Sequence, residues 1–144
     1  MSREELERLD NEGIRAWDQH DSAGFVSLFA DDFVWLDDTT ADPIKTPDAA
    51  RQYMDSWYTA FPDMRVQETN RVIGDDSVAV ELEFTGTNTG MLSMGGMEIP
   101  ATGRKVIGHG SYFAKAENGK IKEFHSHPDA AGMMMQLGLM GAAS

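Results

Sequence analysis

At Pro62 the spacing of apolar residues changes from helical to alternating, and that switch limits the folds open to the chain. Upstream, Thr46-Pro47-Asp48 supplies an N-cap, a first-turn proline and a first-turn acid. Ala50, Tyr53, Met54, Trp57 and Phe61 then recur on one helical face. Downstream, Val78, Val80, Leu82 and Phe84 alternate with Ala79, Glu81, Glu83 and Thr85, the period of a half-buried strand. Helices first and strands afterwards predict an α+β fold with helices packed on one face of a curved antiparallel sheet.

The remaining segments fit this plan. Ser2 and Glu5 form a capping box ahead of Leu6, Leu9, Ile14 and Trp17, which predicts a first helix. Asp21 caps a short second helix through Phe25, Leu28 and Phe29, and "DDFVWLDD" reads as a short strand. "MRVQETNRVI" and "SVAVELEFTGT" make a hairpin around "GDD", and "RKVIGHGSYFAKA" and "IKEFHSH" make another around Asn118-Gly119. Between the hairpins, "NTGMLSMGGMEIPATG" predicts a flap or a bulged loop. A chain of 144 residues without repeats or linkers is read as one domain, residues 1–144.

Charge and composition narrow the function. The formal net charge of -12 repels phosphate backbones and anionic headgroups, so neither nucleic acid nor a membrane is expected as a partner. The charged start "MSREELERLD" lacks a signal peptide's apolar core, and a cytoplasmic protein is the expectation. With no cysteine, disulfides, thiolate metal sites and cysteine nucleophiles are excluded.

The densest chemistry lies in "KEFHSHPDAAGMMMQLG". On a regular strand His125 and His127 share a face with Ile121 and Glu123; Asp129 would continue it, although Pro128 ends or bends the strand. A two-residue turn at Asn118-Gly119 brings His109 near His127, and the glycines flanking His109 leave room beside its ring or mark a sheet bend. A carboxylate among imidazoles in an apolar surround is a sensible acid/base device. The same residues would also supply nitrogen and oxygen ligands for zinc or iron, the weaker reading because the spacing alone is not specific. His20 reads as a solvated loop residue. Trp17, Trp35, Tyr53, Trp57 and Tyr58 are core by default and otherwise walls for a flat ligand. Met91 and Met133 belong to a methionine-rich last third suited to lining an adaptable pocket.

"FADDFVWLDD", "YTAFPDMRVQ", "SVAVELEFTGTNTG", "IPATGRKV", "ENGKIKEF" and "DAAGMMMQLG" together resemble, in order, the landmarks of SnoaL-like proteins, the polyketide-cyclase branch of the NTF2-like superfamily. The resemblance covers roughly residues 5 to 140. It implies a cone of helices against a strongly curved, mostly antiparallel sheet, a deep apolar pocket, and a homodimer formed through the outer sheet face.

The resemblance also implies a reaction, an intramolecular aldol closure without cofactor on a hydrophobic, polyketide-like polycyclic ester. Asp129 matches the position of the family's acid/base, with His127, His109 and His125 as its assisting histidines. Many family members carry Trp and Asp where this chain has His125 and Ser126. The candidate substrate contacts are Trp17, Trp35, Tyr53, Trp57, Met91 and Met133. Other reactions of the superfamily stay open, namely hydration, isomerisation or epoxide hydrolysis. A water-activating site would want a carboxylate held by a residue such as Arg104 or Asn88. So does a non-catalytic binding protein, whose histidines would face solvent.

Overall fold

The structure, a computed structural model, describes residues 1–140. Helix α1 (Arg3–Asp18) starts with the expected capping box: the Ser2 hydroxyl accepts from the Glu5 amide at 3.1 Å, and the Glu5 carboxylate accepts from the Ser2 amide at 3.2 Å. Asp21 caps α2 (Ser22–Val26), and Thr46 caps α3 (Pro47–Ala60), whose Ala50, Met54, Trp57 and Ala60 form its buried face. The strands are β1 (Phe29–Asp37), β2 (Arg65–Ile73), β3 (Ser77–Thr87), β4 (Leu92–Met94), β5 (Met97–Ile99), β6 (Lys105–Glu117) and β7 (Lys120–Pro128).

Five strands form one sheet in the order β1-β7-β6-β3-β2, antiparallel except for the edge pair β1 and β7, which is parallel. The methionine-rich connection is a small separate hairpin, β4 and β5, turned by Gly95 and Gly96 at φ 57° and 79°. A last helix, α4 (Ala130–Gln136), occupies the methionine run that the periodicity left unassigned. Among the described residues no helix is long and apolar enough to cross a membrane.

The helices cover one face of the sheet. Val78, Val80 and Phe84 of β3, and Val106, Gly108, Tyr112, Ala114 and Ala116 of β6, are buried there. Trp35 is fully buried against Trp17, Phe25 and Tyr53, with ring centroids 5.1 to 6.2 Å apart in edge-on contacts. Removing an indole from such a site typically destabilises by about 3 to 5 kcal/mol. Residues of the other sheet face, among them Ile107, His109 and Phe113, are exposed.

One irregularity decides which residues face inward. The β6-β7 pairing begins with Glu117 opposite Lys120 and Ala116 opposite Ile121, then shifts so that Lys115 pairs with Glu123. This bulge inserts Lys122, and the inward set on β7 passes from Ile121 to Phe124, Ser126 and Pro128. Two expectations are thereby corrected. His125 and His127 do not share a face with Ile121, and Ser111, not His109, stands opposite His127. His109 instead lies across from Asp129, whose amide donates to the His109 carbonyl at 2.9 Å.

Candidate functional site

Inside the curved sheet lies an apolar cavity of about 80 Å³. Trp17 of α1, Tyr53 and Trp57 of α3, Leu82 and Phe84 of β3, Tyr112 of β6 and Phe124 of β7 form most of its wall. Gly108 serves this packing, because a Cβ there would stand 2.1 Å from the Phe84 ring. The glycine therefore admits an inward phenyl group and makes no room beside His109.

Along β1 the alternation places Phe33, Trp35 and Asp37 on the buried face. Asp37 is thus an acid where the pattern calls for an apolar residue, only 8 % exposed and in the cavity wall. Its Oδ2 accepts from the Tyr53 hydroxyl at 2.7 Å and from the Ser126 hydroxyl. Its Oδ1 accepts from the Thr39 amide at 2.8 Å and the Thr39 hydroxyl at 2.5 Å. Ser126 in turn accepts from the Trp35 indole at 2.8 Å, which fixes the direction of its own proton toward Asp37. No described cation pairs with Asp37, so hydroxyl and amide dipoles alone satisfy it. Burial, then the Asp37 charge, pushes the Tyr53 hydroxyl far above the ordinary tyrosine range, so it remains a proton-bearing donor.

A second buried acid lies behind the cavity. Asp10 of α1 accepts from the Tyr112 hydroxyl and pairs with Arg71 at 3.1 Å; Arg71 also meets Glu68 at 3.2 Å. Burial and the neighbouring Asp10 push the Glu68 carboxyl up to about 7. Arg71 neutralises part of this cluster, an arrangement suited to tying α1 onto β2.

The sequence profile of the SnoaL-like polyketide cyclases matches residues 8–137. The chain belongs to that family. Its structure is similar to AclR of Streptomyces galilaeus, a candidate hydroxylase, with TM-score 0.84 and 23% identity over 99% of this chain and 87% of the other. IdmH of Streptomyces antibioticus, a candidate polyketide cyclase, gives 0.77 and 23% over 92% and 98%. A Catenulispora acidiphila protein with a ketosteroid isomerase-like fold gives 0.76 and 13% over 94% and 96%. These likenesses establish the NTF2-like cone. No curated protein matches the sequence.

Within this SnoaL-like cone the C-terminal cluster does not assemble in the cavity. Both His109 and His127 border it, yet their rings turn to the outer sheet face. The His109 side chain is 68% exposed, 3.8 Å from Glu83. His127 is 43% exposed, 2.9 Å from Asp38 and edge-on to the exposed Phe113. His125 shares their face, since it pairs with the exposed Phe113. Asp129 is exposed and caps α4, accepting from the Gly132 amide at 2.9 Å. Among the described residues no three His, Asp or Glu side chains gather as a metal would need.

The aromatic candidates fare differently. Trp17, Trp35, Tyr53 and Trp57 all stand on the cavity wall, whereas Met91 is 48% exposed and Met133 is buried in the apolar cluster around Trp57 and Phe61. His20 is no free loop residue: it has φ 59°, stacks on Tyr58 at 4.1 Å and bonds the Met64 carbonyl at 2.6 Å. Asn88 is buried at the base of the β4-β5 hairpin and Arg104 is exposed, so neither holds a carboxylate in the cavity. Asp37 and Ser126 were missed. The available signal was the run Phe33, Trp35, Asp37, an acid continuing an apolar alternation.

Proposed function

We propose that the chain is a cofactor-independent acid/base cyclase that closes a ring on a hydrophobic, polyketide-like molecule by intramolecular aldol addition, and that Asp37 is its acid/base. One observation carries the reading: a buried carboxylate with no cationic partner among the described residues, held by hydroxyls in the wall of an apolar cavity. Asp129 has the family position, but its carboxylate is engaged as a helix cap and exposed.

In this mechanism a carbon flanked by carbonyls approaches Asp37 Oδ2 and displaces the Tyr53 hydroxyl from it. Asp37 takes the proton. Tyr53, kept protonated by burial, donates its hydrogen bond to the enolate oxygen, so the count of hydrogen bonds is preserved. The enolate carbon attacks the second carbonyl, and the proton on Asp37 passes to the new alkoxide. Substrate acidity supplies much of the driving force, and a positioned carboxylate contributes typically about 10² to 10⁴.

The test is exchange of the benzylic α-protons of 2-tetralone, a flat aromatic ketone, for deuterium in D₂O, followed by NMR. Wild type is expected to exceed the buffer rate and Asp37→Asn to fall back to it. If wild type binds the ketone without accelerating exchange, the cavity is a binding site and the acid/base reading fails.

A further inference from the structure

We propose that the open groove between the β4-β5 hairpin and the turn after β1 is a second substrate subsite, which takes the flat apolar body of the molecule whose reacting end enters the cavity. This rests on the acid/base reading of the cavity given above.

The first argument is size. At about 80 Å³ the cavity is smaller than the roughly 150 Å³ that admits one benzene ring, and far below the about 300 Å³ or more of ordinary ligand pockets. Any polycyclic substrate must therefore project from it. The second argument is adjacency. A groove of about 330 Å³ runs between Thr39, Thr40 and Ala41 on one side and Ser93 to Glu98 on the other, and Tyr53 is a wall of both groove and cavity.

Asp37 stands at this junction. Its Oδ2 is bonded to Tyr53 and Ser126 on the cavity side, and its Oδ1 to Thr39 on the groove side. A substrate lying past Tyr53 would present its enolisable carbon to this carboxylate while its rings stayed outside.

The groove's chemistry selects the class of molecule. The hydroxyls of Thr39 and Thr40 already donate to Asp37 and to the Asp37 and Asp42 carbonyls, so the polar side chains left to a ligand are Ser93 and Glu98 on the hairpin wall. Ala41, Gly95 and Gly96 leave a slot suited to flat rings, and Met94 and Met97 offer adaptable apolar contact. The hairpin's base is fixed: buried Asn88 donates to the Ala60 and Gly90 carbonyls at 3.1 and 2.9 Å and accepts from the Thr102 amide and hydroxyl at 2.9 Å. The hairpin is thus anchored at its base while its methionines give the groove a deformable wall.

Two probes share one diketone head: acetylacetone, the head alone, and 1-(anthracen-2-yl)butane-1,3-dione, the same head on three fused rings. Binding is read by quenching of Trp17, Trp35 and Trp57, all on the cavity wall and the only tryptophans present. Wild type is expected to bind the three-ring probe at least about tenfold more tightly than acetylacetone. Ala41→Gln and Ser93→Gln, larger non-fluorescent side chains at exposed positions on opposite walls of the groove, should each reduce that advantage to within about twofold and leave acetylacetone binding unchanged. Should the three-ring probe have no advantage in wild type, or keep it in both variants, the groove is not the subsite and the cavity reading stands. Should acetylacetone fail to quench the tryptophans at all, the cavity reading fails and the groove with it.

Discussion

The two faces of the sheet carry two sets of carboxylates of opposite character. On the outer face, Asp38, Glu83 and Asp129 meet imidazoles or a helix N-terminus in water; on the inner face, Asp37 and Asp10 meet hydroxyls, amides and one guanidinium away from it. The outer cluster has the residue types an acid/base device calls for. The inner one has the surroundings that make such a device effective, since low dielectric strengthens every dipole aimed at the reacting charge. Residue identity is therefore a weaker guide here than the face on which the residue lies.

Several substitutions would sharpen or break that contrast. The largest expected effect is Asp37→Asn, which should lower the rate of α-proton exchange about 10³-fold, measured by NMR in D₂O. Tyr53→Phe removes one of the two donors to Asp37 Oδ2 and should lower the same rate roughly tenfold, with little change in ketone binding. On the outer side, Asp129→Ala removes the α4 cap and should cost about 1 kcal/mol in urea unfolding without altering the rate. His127→Ala breaks an exposed contact with Asp38 and should change stability by no more than about 0.5 kcal/mol.

The Asp10 and Glu68 cluster adds a pH signature on the inner side. The Glu68 carboxyl is raised from 4.5 to about 7 in the folded protein, so between those values the folded chain binds more protons than the unfolded one. Its contribution to stability is complete below about 4.5 and is lost as pH rises through about 7. Glu68→Gln, permanently neutral, should flatten the fall in Tm over that window in thermal melts.

Much of the fold was legible. The capping box at Ser2 and Glu5, the Thr46-Pro47 start of α3, the alternation of β3 and the Asn118-Gly119 turn, with φ 53° and 81°, all follow from local rules that act within a few residues. The site was less so. The bulge at Lys122 carries no glycine or proline to mark it, yet it moved every later β7 side chain to the opposite face. Two histidines thereby went outward and Ser126 inward. Asp129 differs again: an aspartate before "AAGMMMQ" reads equally as an acid/base candidate and as a helix N-cap, and in the structure it caps α4.

The most direct measurement is α-proton exchange on 2-tetralone by Asp37→Asn and Asp129→Asn side by side, each first shown by circular dichroism to be folded. The account predicts that Asp37→Asn falls to the buffer rate while Asp129→Asn keeps nearly all of the wild-type rate. The reverse result would contradict it, returning the chemistry to the C-terminal cluster and leaving Asp37 as a structural acid.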